Sequence, residues 1–178
     1  MELHAQTLNR FCNQYKIIQH YIGDLPSQAI HTRLMPDKLS IHETIAYLCR
    51  YQYVFMGRLK AITTEINPFF EVYKPENDPQ YQFTLARTTG ALLHEIYRVR
   101  DDMKHMLHTI RPEEYSRMGT HAVLGRMNIC QWLEFFLLHE SKHFYTIFKL
   151  SGSFWSNESA HMGNVISMPL NQIDELAG

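Results

Sequence analysis

Long hydrophobic runs are missing from this sequence: polar residues interrupt every apolar stretch well before the roughly 18 residues that a membrane-spanning helix needs. A membrane is therefore not expected as a partner. The N-terminal MELHAQTLNRF has no basic region followed by an apolar run, so neither signal peptide nor anchor is expected, and the reading is of a cytoplasmic protein. An excess of one charge is also lacking, with 17 Lys and Arg against 18 Asp and Glu. No global positive field exists to attract phosphate backbones, which argues against nucleic acid as a partner. Cysteine is scarce. Cys12, Cys49 and Cys130 are far apart, odd in number and set among apolar neighbours, which excludes a disulfide framework or a CxxC metal site and suits reduced, buried thiols. Internal repeats and low-complexity tracts are absent as well.

What is present is a chain of 178 residues, 45% hydrophobic and 20% charged, a composition that buries one core. Leu8, Phe11, Cys12, Tyr15, Ile18 and Ile22 recur every three or four positions and predict a first helix from Leu3 to Tyr21, ended by Gly23. Two prolines make the following segment a connection. Ser40 with Glu43 three residues later reads as a capping box opening a second helix that keeps its apolar spacing to about Ile66. Asn67 to Gln82 holds Pro68, Pro75 and Pro79 and reads as a long linker folding over one end of a bundle. A third helix is predicted from Thr84 to about Ile110. EEYSRMGTHAVLGRMN reads as a turn-like, short extended excursion. Asn128 then serves as N-cap of a fourth helix running to Leu150 and stopping at Gly152. The fold class is all-α, a four-helix bundle over residues 1–152, with an irregular tail over 153–178 packing back through Phe154 and Trp155.

Eleven histidines is many for this length. His4, His20, His31, His105, His108 and His161 sit among polar neighbours and read as solvated. His139 and His143 differ. Ile129, Trp132, Phe136, His139, His143, Ile147 and Leu150 are spaced 3, 4, 3, 4, 4 and 3 residues apart, which puts both histidines in the middle of the core-facing stripe. Residues four apart stack along one helix face, so two imidazoles there converge on one ion from a single rigid element. The competing reading is a pair of ordinary hydrogen-bonded core histidines. HESKH also spells HExxH, the zinc-protease pattern, but Thr146 and Lys149 stand where its extended form needs Gly and His. Glu158 and Glu175 lie on no convincing helix, and Glu140 reads as a residue at the edge of the stripe.

Two segments give a family resemblance. MPDKLSIHETIAYL resembles the lead-in to the second helix of the DinB/YfiT-like superfamily, where Trp-Ser is followed by a Glu three residues on and a His four residues beyond that. HESKHFYTI, with GRMNICQWLEFFLL before it, resembles that family's last helix with its two ligand histidines. The resemblance spans roughly Leu8 to Gly152 and implies a four-helix bundle holding a divalent metal on three histidines. In this chain Leu39 replaces the Trp, and the third ligand position falls on Tyr47. A phenol has a reference pKa near 10, so Tyr47 needs a bound cation to become a good anionic ligand. His42 lies five residues from Tyr47, rotated by about 140° on the helix. His94 on the third helix is the substitute candidate.

The resemblance implies a metal-dependent enzyme of hydrolase or thiol S-transferase type, with Zn or Ni held by His139 and His143, Tyr47 as ligand or proton partner, a small-molecule or thiol substrate, and a homodimer. The other expectation is a non-catalytic bundle whose metal site Tyr47 has weakened or emptied, acting as a binding or interaction module. Nine methionines with 10 Tyr, 10 Phe and 2 Trp are consistent with a ligand pocket and with ordinary core filling.

Overall fold

The computed structural model describes residues 3–166, with side chains as far as Trp155. The first bundle helix is α1 (Ala5–Asn13) and α2 (Ile17–Ile22), joined by a 3₁₀ turn at Gln14–Lys16 where Asn13 departs from helical geometry. A short α3 (Ser27–His31) lies in the following connection. The second bundle helix is α4 (Ile41–Thr64), opened by the predicted capping box: Glu43 N–H donates to Ser40 Oγ at 3.1 Å, and Ser40 N–H to Glu43 Oε2 at 2.8 Å.

The linker after α4 contains β1 (Phe69–Phe70) and α5 (Pro79–Leu85). The third bundle helix is α6 (Thr89–Thr109), not one helix from Thr84. Its start is set by Thr88, whose hydroxyl accepts from Ala91 N–H, so local capping outcompetes continuation from α5. The excursion folds into a hairpin, β2 (Met118–His121) and β3 (Gly125–Asn128), paired antiparallel; β1 adds parallel to β2. Gly125 takes a positive φ of 74° at the hairpin turn, a conformation that suits glycine.

The fourth bundle helix is α7 (Ile129–Ile166). Asn128 caps it as predicted, its Oδ1 accepting from Gln131 N–H at 3.0 Å. The expected stop at Gly152 is corrected: the helix continues through it, and 153–166, expected to be irregular, is helical. One interior glycine costs only about 1 kcal/mol relative to alanine, too little to end a helix by itself. Phe154 packs against the core and Trp155 is more exposed. The expectation for residues 167–178 falls outside the described residues, as do the side chains of Glu158, His161 and Glu175.

The bundle is filled by two adjoining apolar clusters. One surrounds Phe55, Trp132 and Phe136, and the other surrounds Ile45, Ile96 and Ile147. The small sheet rests on the Trp132 end, where the indole N–H donates to Gly119 O at 3.4 Å.

Candidate metal and ligand site

Tyr47 and Tyr51 lie one turn apart on α4, and their rings stack at 6.0 Å and 8°. They meet the two histidines one turn apart on α7. Tyr47 lies 4.6 Å from His143 and 5.8 Å from His139, ring centre to ring centre, while Tyr51 stacks on His139 at 4.2 Å. The pairing of the earlier tyrosine with the later histidine means that the two helices run in opposite directions. His139 and His143 are 4.8 Å apart. Positions 47, 139 and 143, distant in sequence, therefore share one cluster.

Burial, with the charges of His143, Lys142 and Arg58 added, pushes His139 down to about 3, and burial with Lys142 pushes His143 down to about 4. Both imidazoles are neutral near pH 7 and have lone pairs to offer. His139 Nε2 is buried with no hydrogen-bond partner among the described residues, an uncommon state for a buried nitrogen and one that a ligand would relieve. Burial, reinforced by the neighbouring Tyr51, pushes the Tyr47 phenol well above its usual range. No group of three or more His, Cys, Asp or Glu side chains able to hold a metal occurs among the described residues. The donors thus fit an ion as two nitrogens plus a phenol oxygen, a weaker set than three imidazoles.

The histidines flank the core-facing stripe; they are not at its middle as the spacing suggested. Its middle belongs to Glu140, which is 1% exposed. Glu140 is corrected from an edge residue to the centre of a buried network. It pairs with Arg100, also 1% exposed, and accepts from Gln52 Nε2 at 2.7 Å and Gln14 Nε2 at 2.9 Å. Held there, it faces away from the role that HExxH would give it. His94 is exposed on α6 and does not join the site. His42 points elsewhere, as its rotation implied: its Nε2–H donates to Leu85 O at 3.0 Å and its Nδ1 accepts from Thr89 Oγ1 at 2.9 Å. His4, His20, His31, His105 and His108 are all exposed.

A cavity of about 300 Å³ opens beside the cluster, between Tyr47 and Tyr51 of α4, Tyr73 of the linker, His121 and Leu124 of the hairpin, and Phe135 and His139 of α7. A larger groove of about 780 Å³ between α1 and α7 contains neither His139 nor His143. Sequence reading missed His121, Arg100 and Gln52. For the last two a signal existed: each charged or amide side chain falls on the apolar stripe of its own helix.

No curated protein matches the sequence. Among solved structures the fold is similar to that of YfiT from Bacillus subtilis, described as "a probable metal-dependent hydrolase with an unusual four-helix bundle topology". The match has a TM-score of 0.73 and 13% identity and covers 84% of this chain and 86% of that one, a likeness of fold. Residues 12–147 match the model of the DinB superfamily and include Tyr47, His139 and His143; the chain belongs to that superfamily.

Proposed function

We propose that the chain is a metal-dependent enzyme, of hydrolase or thiol S-transferase type, in which His139 and His143 hold a divalent ion, zinc or nickel, with Tyr47 at the third position. The observation that carries this reading is the buried, unpartnered Nε2 of His139 beside a second neutral imidazole one turn away. Membership of the DinB superfamily and the description of YfiT as metal-dependent support it. A divalent ion supplies Lewis acidity there, lowering the pKa of a water or thiol so that a nucleophile exists near neutral pH.

The chain's own residues set the conditions for that chemistry. Tyr47, kept protonated by burial, is placed to donate a hydrogen bond. Tyr51, its hydroxyl accepting from Arg58 Nη1 at 3.3 Å, holds the His139 ring by stacking and limits its rotation. Tyr73, its hydroxyl donating to Asp78 Oδ2 at 3.1 Å, lines the cavity. A small molecule or thiol is the substrate in this reading. The protein acts as a cytoplasmic homodimer: Cys12, Cys49 and Cys130 form no disulfide, and Leu138, Tyr145 and Phe148 form an exposed apolar face along α7.

A second reading is supported by Tyr47 itself. Its ring centre lies 4.6 Å from that of His143 with the planes tilted by 35°, and its phenol is hard to ionise. That geometry fits a bundle whose metal site has been weakened and which serves as a binding module.

Metal analysis of protein purified without an affinity tag separates the two. Near-stoichiometric zinc or nickel, lost in His143→Ala, is expected for the enzyme, and a metal-free protein would overturn it. Tyr47→His is expected to raise zinc affinity by at least tenfold, since an imidazole replaces a phenol that must first lose its proton. An unchanged affinity removes position 47 from the ligand set.

A further inference from the structure

His121 belongs to the β2–β3 hairpin that leads into α7, far in sequence from α4, and it lines the same cavity as Tyr47 and His139. It is buried, 6% exposed. Its Nδ1 accepts two backbone N–H bonds, from Val123 and Leu124, both at 3.2 Å. A nitrogen accepting from two amides cannot carry a proton, so the ring is neutral and its proton resides on Nε2. Burial and the Arg58 guanidinium both oppose a second proton. Nε2–H is the remaining polar group of the ring, and no hydrogen bond to it occurs among the described residues.

Of the other polar groups of the cavity, two are engaged within the protein, and the other two, the Tyr47 hydroxyl and His139 Nε2, are those the proposed function uses. Tyr73 donates to Asp78, and Tyr51 is held by Arg58. The remaining wall is Val72, Val123, Leu124 and Phe135, and no charged side chain lines it. Such a cavity disfavours ionised molecules, whose desolvation nothing would offset, and favours an apolar body with one acceptor.

We infer that His121 is a substrate-binding residue, a fixed Nε2–H donor that receives the carbonyl-type oxygen of a small, uncharged, mainly apolar substrate in the cavity beside Tyr47 and His139. This rests on the proposed location of the active site but requires no metal. Such a donor is preorganised: the hairpin amides fix its tautomer before any ligand arrives, so none of the binding energy goes into reorienting it.

The two ring nitrogens can be tested separately. In His121→Asn the side-chain oxygen takes the place of Nδ1 and keeps the turn, but nothing reaches the position of Nε2. In His121→Gln the amide N–H reaches that position and the turn acceptor is lost. The probes are acetophenone and α-methylstyrene, which have the same shape and differ in C=O against C=CH₂. Binding of each to the full chain is measured by ligand-observed NMR.

The wild-type protein is expected to prefer acetophenone by roughly 3- to 10-fold, the contribution of one neutral hydrogen bond. The preference falls to about one in His121→Asn, whose unfolding midpoint stays near wild type, and it survives in the less stable His121→Gln. Nitrogen NMR of the imidazoles is expected to show Nε2 protonated and Nδ1 bare. Equal binding of the two probes by the wild type, binding of neither, an undiminished preference in His121→Asn, or a proton on Nδ1 would overturn the inference. Zinc titration of the wild type, His143→Ala and His121→Asn keeps the two ideas apart. Loss of zinc binding only in His143→Ala leaves the metal reading intact whatever the probes do, while a wild type that ignores zinc but prefers acetophenone keeps the donor and sinks the metal.

Discussion

A phenol at position 47 changes the chemistry open to the pair on α7. Two neutral imidazoles are good donors, but a buried Tyr47 resists ionisation, so its contribution depends on the cation it would help to bind. Elsewhere single residues are held by space instead of charge. At Gly119 an added Cβ would lie 2.8 Å from Ile62 Cγ1 and 3.0 Å from a Phe70 ring carbon. Ile62 is fully buried and Phe70 packs against the same core, so neither has open space to move into. Gly119→Ala is expected to destabilise by about 1–3 kcal/mol, the usual cost of overpacking. The check is the urea unfolding midpoint, and an unshifted one would show that the sheet slides freely over α4.

The elements that present the site owe their ends to short local motifs. The start of α4 is fixed by Ser40 and Glu43, and Glu43 is also gripped by Arg33. Hydrogen bonds from Arg33, with the Ser40 N–H, pull Glu43 from its usual value of 4.5 down to about 2 against the opposing effect of burial. A carboxylate whose pKa is depressed on folding contributes stability that is present above its unfolded value and lost as pH falls through the folded one. Glu43→Gln keeps the cap geometry but not the charge. The stability gap between wild type and this variant is therefore expected to close between pH 4.5 and about 2, as read by urea unfolding at each pH. A constant gap would mean that the Arg33 pair contributes nothing, as for many exposed ion pairs.

At the scale of the whole molecule, one buried network joins all four bundle helices. Glu140 of α7 takes hydrogen bonds from Gln52 of α4 and from Gln14 in the first helix, and pairs with Arg100 of α6. Arg100 donates to Phe11 O at 3.0 Å and lies over the rings of Phe11, Tyr15 and Phe136. Removing one partner of such a pair leaves an unpaired buried charge. Arg100→Met is expected to cost about 3–5 kcal/mol in equilibrium unfolding, and Arg100→Met with Glu140→Gln less than that, because no charge then remains inside. A double variant less stable than the single one would show that the Glu140 charge is satisfied without Arg100. Since Glu140 adjoins His139, the network also fixes the rotation of α7 about its axis, and with it the direction in which the histidines point.

The sequence alone determined the helical segments, the Ser40 and Asn128 caps, the excursion before the last helix and the pairing of His139 with His143, because periodicity and capping act over a few residues of chain. The family resemblance singled out positions 47, 139 and 143 together, and the structure brings the three rings into one cluster. What only the tertiary structure decided was which polar residue occupies the centre of α7's stripe, since 139, 143 and 140 fall within about 100° of one another around the helix axis and a rotation of part of a turn exchanges them. The Thr88 cap that opens α6 and the passage of α7 through Gly152 are local features that the sequence reading passed over. The tertiary structure also decided that His121 arrives beside Tyr47. That contact and the choice of Glu140 depend on side chains brought together from distant parts of the chain, and no local pattern encodes a contact whose two halves are written in different elements.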